Sequence, residues 1–269
     1  MDQLQEVAKR ILNSIRANSS GTEAEEEVKY ECEICKDKEW IDIRDEDGLI
    51  TSSMPCKCRE TKLYKRILES SGITEAFLER NFGNFKPKNQ ATANAKAMAI
   101  DYVKKFDKIR DSKNNSIAFV GQVGAGKTHL SIAIANELMK RNIGVRYMQY
   151  REDITRIKQV AADEESYARE INKYKNAAVL LIDDLYKNAT YKTRAGYELL
   201  NDADKRAMFE IVNYRYFKGL PMIVSSEYLA EDILGFDEGI GSRIFEMCKG
   251  HIMEFKGQEL NYRLYKQAL

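Results

Sequence analysis

The sequence predicts an α/β fold: five short strands in a parallel sheet, helices on both faces of it, and a small helical, cysteine-bearing segment in front. Three observations point there. Beyond residue 117, short apolar runs alternate with stretches of helical spacing, the rhythm of successive β-α-β units. The first of those runs ends in a glycine-rich turn that opens directly into a helix. Ahead of it, four cysteines fall into two close pairs.

The elements follow in order. Leu4, Val7, Ala8, Ile11, Leu12 and Ile15 recur at helical spacing, so the chain opens with an amphipathic helix, ended by Asn18-Ser19-Ser20-Gly21. Trp40-Ile41-Asp42-Ile43 alternates like a strand, and Asp47-Gly48 is a hairpin turn signal. Leu63, Tyr64, Ile67 and Leu68 share one side of a helix from Thr61 to Ser71. Gly83 and Pro87 punctuate the chain, so the expected domains are residues 1–85 and 86–269. A helix from about 91 to 109 and a loop over 111–116 come next. The expected strands are Ile117–Val120, Val145–Gln149, Ala178–Ile182, Met222–Ser225 and Ile252–Phe255, with helices between them.

Composition narrows the classes. A chain of 269 residues holds a core of ordinary size. Its net charge is +1, yet residues 1–80 hold 13 basic and 18 acidic side chains and the remainder 30 and 24, which mildly favours an anionic partner for the C-terminal part. No apolar run approaches the ~18 residues of a membrane span, so no membrane partner is expected. Asp2 and Glu6 come early with no apolar core after them, unlike a secretory signal. The expected location is cytoplasmic and reducing, where five cysteines suggest metal binding or chemistry more than disulfides.

Gly121-Gln122-Val123-Gly124-Ala125-Gly126-Lys127-Thr128, followed by His129, fits G-x-x-x-x-G-K-[ST] at every fixed position. The glycines let the backbone turn with its N–H groups inward, and the helix that follows presents unpaired N–H groups and its positive dipole end. Lys127 then reaches the β- and γ-phosphates of ATP, and the Thr128 hydroxyl holds Mg²⁺. Ala177 to Ile182 is an apolar strand ending in Asp183-Asp184, 55 residues beyond Thr128. Asp183 is the expected Mg²⁺ acid and Asp184 the acid that orients or deprotonates the attacking water. Ser225-Ser226-Glu227 ends another strand, where polar groups meet the γ-phosphate or cap a helix. Arg243, in Gly241-Ser242-Arg243-Ile244, is a candidate to reach a neighbouring subunit's nucleotide, and Arg263 to meet it within its own subunit; a lone arginine is more commonly a surface charge. Tyr147 and Tyr150 could stack on bases, but strand-end packing is the better reading.

Cys32-x-x-Cys35 and Cys56-x-Cys58, separated by 20 residues containing the hairpin signal, suit a tetrahedral structural Zn²⁺ site. Cys248 stands apart as a core thiol. Arg59, Lys62, Lys65 and Arg66 form a basic edge nearby, although the segment as a whole is acidic and suits a protein partner better.

From about Ile117 to Arg263 the chain resembles helicase-loader ATPases of the DnaC/DnaI type, in the DnaC/IstB-like group of the AAA+ superfamily. The resemblance rests on GQVGAGKTH, on LLIDDL from Leu180 to Leu185, on IVSSE from Ile223 to Glu227, on GSRI from Gly241 to Ile244, and on a compact C-terminus without the usual lid. The four-cysteine segment is similar to that of loaders from phages and Gram-positive bacteria. The resemblance implies an AAA+ P-loop domain that binds single-stranded DNA and self-assembles, with Arg243 as arginine finger and Arg263 as sensor-like arginine. It implies an N-terminal region that grips a hexameric replicative helicase. Ser226 stands where an Asn is common at the sensor position, and Asp184 replaces a Glu. The shorter acid predicts slow hydrolysis and a protein acting more as an ATP-controlled switch. A transposition accessory ATPase of the IstB type, working on duplex DNA, shares nearly the same motifs; the zinc segment counts against it.

Overall fold

A computed structural model describes residues 30, 32–73, 79–194, 196, 198–257 and 260–262. The expected N-terminal amphipathic helix and Arg263 lie outside them. The chain divides into two compact units, Met1–Arg59 and Glu60–Leu269, with the division earlier than the expected one at residue 85.

In the first unit, strands β1 (Trp40–Arg44) and β2 (Ile50–Pro55) pair antiparallel, Trp40 opposite Pro55 and Ile41 opposite Met54. The turn is longer than the two-residue one that Asp47-Gly48 suggests. Asp45 closes it, its carboxylate accepting from the Leu49 N–H at 2.8 Å, while Gly48 takes the left-handed backbone (φ +80°). Helix α1 (Cys58–Ser71) starts at the last of the paired cysteines and runs past the division, most of it in the second unit.

The second unit is built on five parallel strands: β3 (Ile117–Gly121), β4 (Val145–Gln149), β5 (Val179–Asp183), β8 (Met222–Ser226) and β9 (Ile252–Phe255), in spatial order β4-β5-β8-β3-β9. Every residue of β3, β5 and β8 is buried, as the central strands of a sheet covered on both faces must be. Alternation along the strands assigns the two faces. Ile117, Phe119, Leu181 and Ile223 pack under α2 (Gln90–Ile109) and α3 (Lys127–Lys140), against Tyr102, Phe106, Leu130 and Ile134. Ala118, Val120, Ile182 and Val224 face α4 (Tyr150–Gln159), α5 (Glu164–Lys175), α6 (Asp202–Lys218), α7 (Ala230–Phe236) and α8 (Glu238–Met247). Asn89 caps α2 through a reciprocal pair with Thr92, at 2.9 Å and 3.3 Å.

The five expected strands are all present, two of them running one residue further: β3 includes Gly121 and β8 includes Ser226. β5 is shifted by one, to end on Asp183. One element was not expected. Between β5 and α6, β6 (Thr190–Lys192) and β7 (Glu198–Leu200) form a short antiparallel ribbon. Its base touches the sheet end, where the Thr190 and Tyr228 hydroxyls lie 3.0 Å apart. No helix among the described residues is long and apolar enough to cross a membrane.

Arg215 on α6 is completely buried. It donates to the carbonyls of Tyr174, Lys175 and Ala177 at 2.8, 3.0 and 2.8 Å, and to that of Pro221 at 2.7 Å. One guanidinium thus ties the end of α5 to the starts of β5 and β8, with helix-terminal carbonyls supplying partial negative charge. Arg215→Ala would strand four carbonyls, and we expect it to cost about 3 kcal/mol or more. Urea unfolding of the two proteins measures this; a loss under about 1 kcal/mol would show that water replaces the side chain.

Candidate functional site

The parallel strands deliver their C-terminal ends to one edge, and the glycine loop leaves the sheet there. Gly121 has φ +100°, and a Cβ on it would collide with the Phe255 carbonyl of β9 and stand 2.9 Å from a Leu229 methyl. Gly126 has φ +89° at the start of α3, where a Cβ would lie 2.6 Å from the Phe85 ring. Neither position admits a side chain. The loop is pinned from outside: the Gly121 N–H donates to the Tyr228 carbonyl (2.9 Å), the Gln122 N–H to that of Phe255 (2.8 Å), and the Tyr262 N–H to that of Gly124 (3.1 Å). The first turn of α3 has no intrahelical acceptors for its leading N–H groups, which makes it an anion site.

Lys127 is buried, its Nζ donating to the Gly121 and Gln122 carbonyls at 2.7 Å each. Burial lowers its pKa to about 8, against the pull of the Asp184, Glu227 and Asp183 carboxylates. Asp183 ends β5, also buried. The Ser225 hydroxyl donates to one carboxylate oxygen at 2.5 Å and the Tyr147 hydroxyl to the other at 3.1 Å. Burial raises the Asp183 pKa, opposed by the hydrogen bond from Ser225. Thr128 and Asp183 line the same hollow. Asp184 comes next, its N–H donating to Ser225 Oγ at 3.0 Å and its carboxylate accepting from Lys187 at 2.7 Å. Lys187 also donates to Glu227 at 2.8 Å.

Two adjoining hollows open on these groups, of about 270 and 330 Å³. Arg80, Thr128 and Asp184 line both. The smaller is walled by the glycine loop and Glu227, the larger by Tyr147, Asp183 and Lys187.

The segment after Asp183 is strained. Asp184, Tyr186 and Asn188 all take left-handed backbone, at φ 56°, 66° and 55°. That conformation costs an L-residue about 1 kcal/mol, with Asp and Asn the most tolerant. Tyr186 is held by burial, its ring edge-on to Tyr150 and Phe236.

Other expected residues sit as follows. The Ser226 hydroxyl donates to the Leu185 carbonyl at 2.8 Å and accepts from the Tyr228 N–H at 3.2 Å, fully buried; its neighbour Ser225 holds Asp183. The His129 ring points toward residues 79–86, its Nε2 at 3.0 Å from both the Asn81 carbonyl and Asn84 Oδ1, with Phe85 edge-on. Arg243 on α8 lies outside both hollows. It donates to the Gly239 carbonyl at 2.6 Å, and its guanidinium stands 5.5 and 5.6 Å from the Phe209 and Tyr216 rings. Tyr147 and Tyr150 are core residues, as expected, the latter donating to Asp204 at 2.9 Å. Cys248 is a fully buried thiol, also as expected, with its pKa raised by burial. Arg80 and Lys187 were not foreseen, since nothing in the sequence near either marks it.

In the first unit, the sulfurs of Cys32, Cys35, Cys56 and Cys58 all lie within 4.8 Å of one another, with contacts of 3.7 Å (Cys32–Cys56) and 3.3 Å (Cys35–Cys58). Zn–S bonds of about 2.3 Å in a tetrahedron place sulfurs about 3.8 Å apart, so the cluster fits that ion. The Cys35 N–H lowers the Cys32 thiol to about 7, while burial raises that of Cys58. One face of the ribbon carries Ile41, Ile43 and Met54, with Leu49 and Ile50 exposed at its tip; Arg59 stacks on Trp40, its guanidinium 4.6 Å from the ring.

A lysine-bearing glycine loop on a central strand, a buried acid ending the next strand but one, and a five-strand parallel sheet define a P-loop ATPase of the AAA+ class. Residues 59–267 match the family described as IstB-like ATP binding protein, and the chain belongs to it, a DnaC/IstB-type ATPase. Protein XkdC of the phage-like element PBSX of Bacillus subtilis (strain 168) is 39% identical, over 88% of this chain and 87% of that protein. The replicative helicase loader DnaC of Escherichia coli (strain K12) is 27% identical over 52% of this chain and 56% of its own length. A crystal structure of the DnaC helicase loader shares the fold at TM-score 0.54 and 21% identity, covering 68% of this chain and 100% of that one.

Two measurements follow. Above about pH 8 Lys127, as placed, has shed its proton, and a triphosphate must restore it on binding. ATP affinity is expected to fall as pH rises past about 8, by up to ~10-fold per unit, with net proton uptake. Calorimetry in buffers of differing ionisation enthalpy reads that uptake; constant affinity up to about pH 9.5 would mean that Lys127 stays charged throughout. Elemental analysis of purified protein should find about one zinc per chain, lost in Cys35→Ser; metal-free, folded wild type would refute the zinc site.

Proposed function

We propose that the chain is an ATP-dependent loader of a replicative DNA helicase, placing it on single-stranded DNA as replication starts. The observation that carries the reading is the pairing of two things in one chain: an ATPase site of the DnaC/IstB type, and a four-cysteine unit whose ribbon exposes apolar side chains among the described residues. The first supplies a switch, the second a handle for a protein partner.

In this reading the glycine loop and Lys127 take the phosphates, Thr128 and Asp183 hold Mg²⁺, and Asp184 orients the attacking water. Magnesium, when bound, neutralises charge on the transferred phosphoryl group. Arg243 acts in trans, completing the site of the next subunit in a self-assembled array, and Arg263 acts in cis. The zinc-bearing unit grips the hexameric helicase, and the ATPase unit contacts the DNA. The family match also supports a second reading, an IstB-like accessory ATPase acting on duplex DNA in transposition. Stronger binding to duplex than to single-stranded DNA would favour it.

The test is a pull-down of the full chain with the cognate helicase. Ile43→Asp and Met54→Asp, each placing a charge on the ribbon's apolar face, should weaken capture at least ~10-fold, in keeping with the 2 kcal/mol typical of hot-spot residues. ATP binding should be unchanged. Wild-type protein that fails to capture the helicase with or without ATP would overturn the loader reading.

A further inference from the structure

We propose that Lys187 is a positioning residue for ATP turnover, fixing the Asp184 carboxylate that orients the attacking water. The inference rests on that reading of Asp184. Two anchors hold Asp184. Its backbone is fixed by β8, through its N–H to Ser225 Oγ at 3.0 Å and through the next N–H, of Leu185, to the Ser225 carbonyl at 2.8 Å. Its carboxylate is fixed from within its own turn: the Lys187 N–H donates to the Asp184 carbonyl at 3.0 Å, and the Lys187 ammonium to Asp184 Oδ2 at 2.7 Å.

The same ammonium donates to Glu227 at 2.8 Å, one residue past the end of β8. One cation therefore joins the tips of two adjacent strands, β5 and β8, beside the phosphate site. It also separates two carboxylates that would otherwise repel each other and an incoming triphosphate. Lys187 and Asp184 line the same hollow as Asp183, and Asp184 and Glu227 line the one that holds Lys127. The alternating left-handed residues 184, 186 and 188 give this turn a shape that ordinary loops do not adopt, and such strain concentrates where geometry is functional.

Stability does not explain the bridge. All three side chains are about a third exposed, 33% for Lys187, 28% for Asp184 and 27% for Glu227. Ion pairs that exposed contribute little to folding. What the bridge restricts is the direction of one carboxylate, a requirement of catalysis.

The experiment is steady-state ATPase kinetics on the full chain, comparing Lys187→Met, Lys187→Arg, Asp184→Asn and the Lys187→Met/Asp184→Asn double variant. Lys187→Met should lower kcat at least ~10-fold and move KM for ATP by less than ~3-fold, the signature of a lost transition-state interaction, with an unchanged melting temperature. Lys187→Arg should recover kcat to within ~3-fold of wild type. The double variant should be no slower than Asp184→Asn alone, since both changes disable one carboxylate. A kcat for Lys187→Met at or above wild type overturns the proposal, as does a fall that adds fully to that of Asp184→Asn. Equal losses in kcat, KM and melting temperature would mark Lys187 as merely structural. Unimpaired turnover in Asp184→Asn would remove the underlying reading of Asp184, and this inference with it. A slow Asp184→Asn beside a normal Lys187→Met would remove the inference alone.

Discussion

Parallel strand pairing is the constraint on which the site depends. With all five strands running the same way, every carboxyl end reaches one edge, and loops of unrelated sequence converge there. The register then sets the chemistry. Leu181 lies beside Ile223 and Phe119 beside Ser225, so Asp183 and Ser225 emerge as neighbours on the α2–α3 face. That is the face on which α3 presents Lys127 and Thr128. A slip of one residue would turn Asp183 toward the opposite helices.

The same parity shows what could be read from sequence. The strands were legible because burial on both faces demands unbroken apolar runs, and the glycine loop because its backbone tolerates no side chain. The cysteines were legible from spacing. Counting by twos from Asp183 across to β8 selects Ser225 for its partner; without the register, Ser225 and Ser226 look alike. Lys187 and Arg80 leave no such trace, because each matters only where distant segments meet. The β6–β7 ribbon leaves no sequence signal for a different reason: three-residue strands with mixed polarity carry no period. Gly83 and Pro87 look like linker punctuation, yet Asn81, Asn84 and Phe85 pack onto His129 and Gly126 at the foot of α3.

The two units are stabilised by different physics. The larger buries two layers of apolar side chains against a sheet and locks its far end with Arg215. Among its described residues the smaller leaves Ile43, Leu49, Ile50 and Met54 exposed, and a two-stranded ribbon by itself is marginally stable. A metal ion held by the four sulfurs would compensate, much as staples do in other short domains. Apolar side chains released from core duty remain available as surface.

Tyr228 serves two masters with different atoms. Its carbonyl receives the first N–H of the glycine loop and its own N–H meets Ser226, while its phenol alone reaches the ribbon at Thr190. Main-chain atoms are common to all residues, whereas a hydroxyl belongs to few. Descent with modification at this single codon can thus loosen or tighten the appendage and leave the nucleotide cradle as it was.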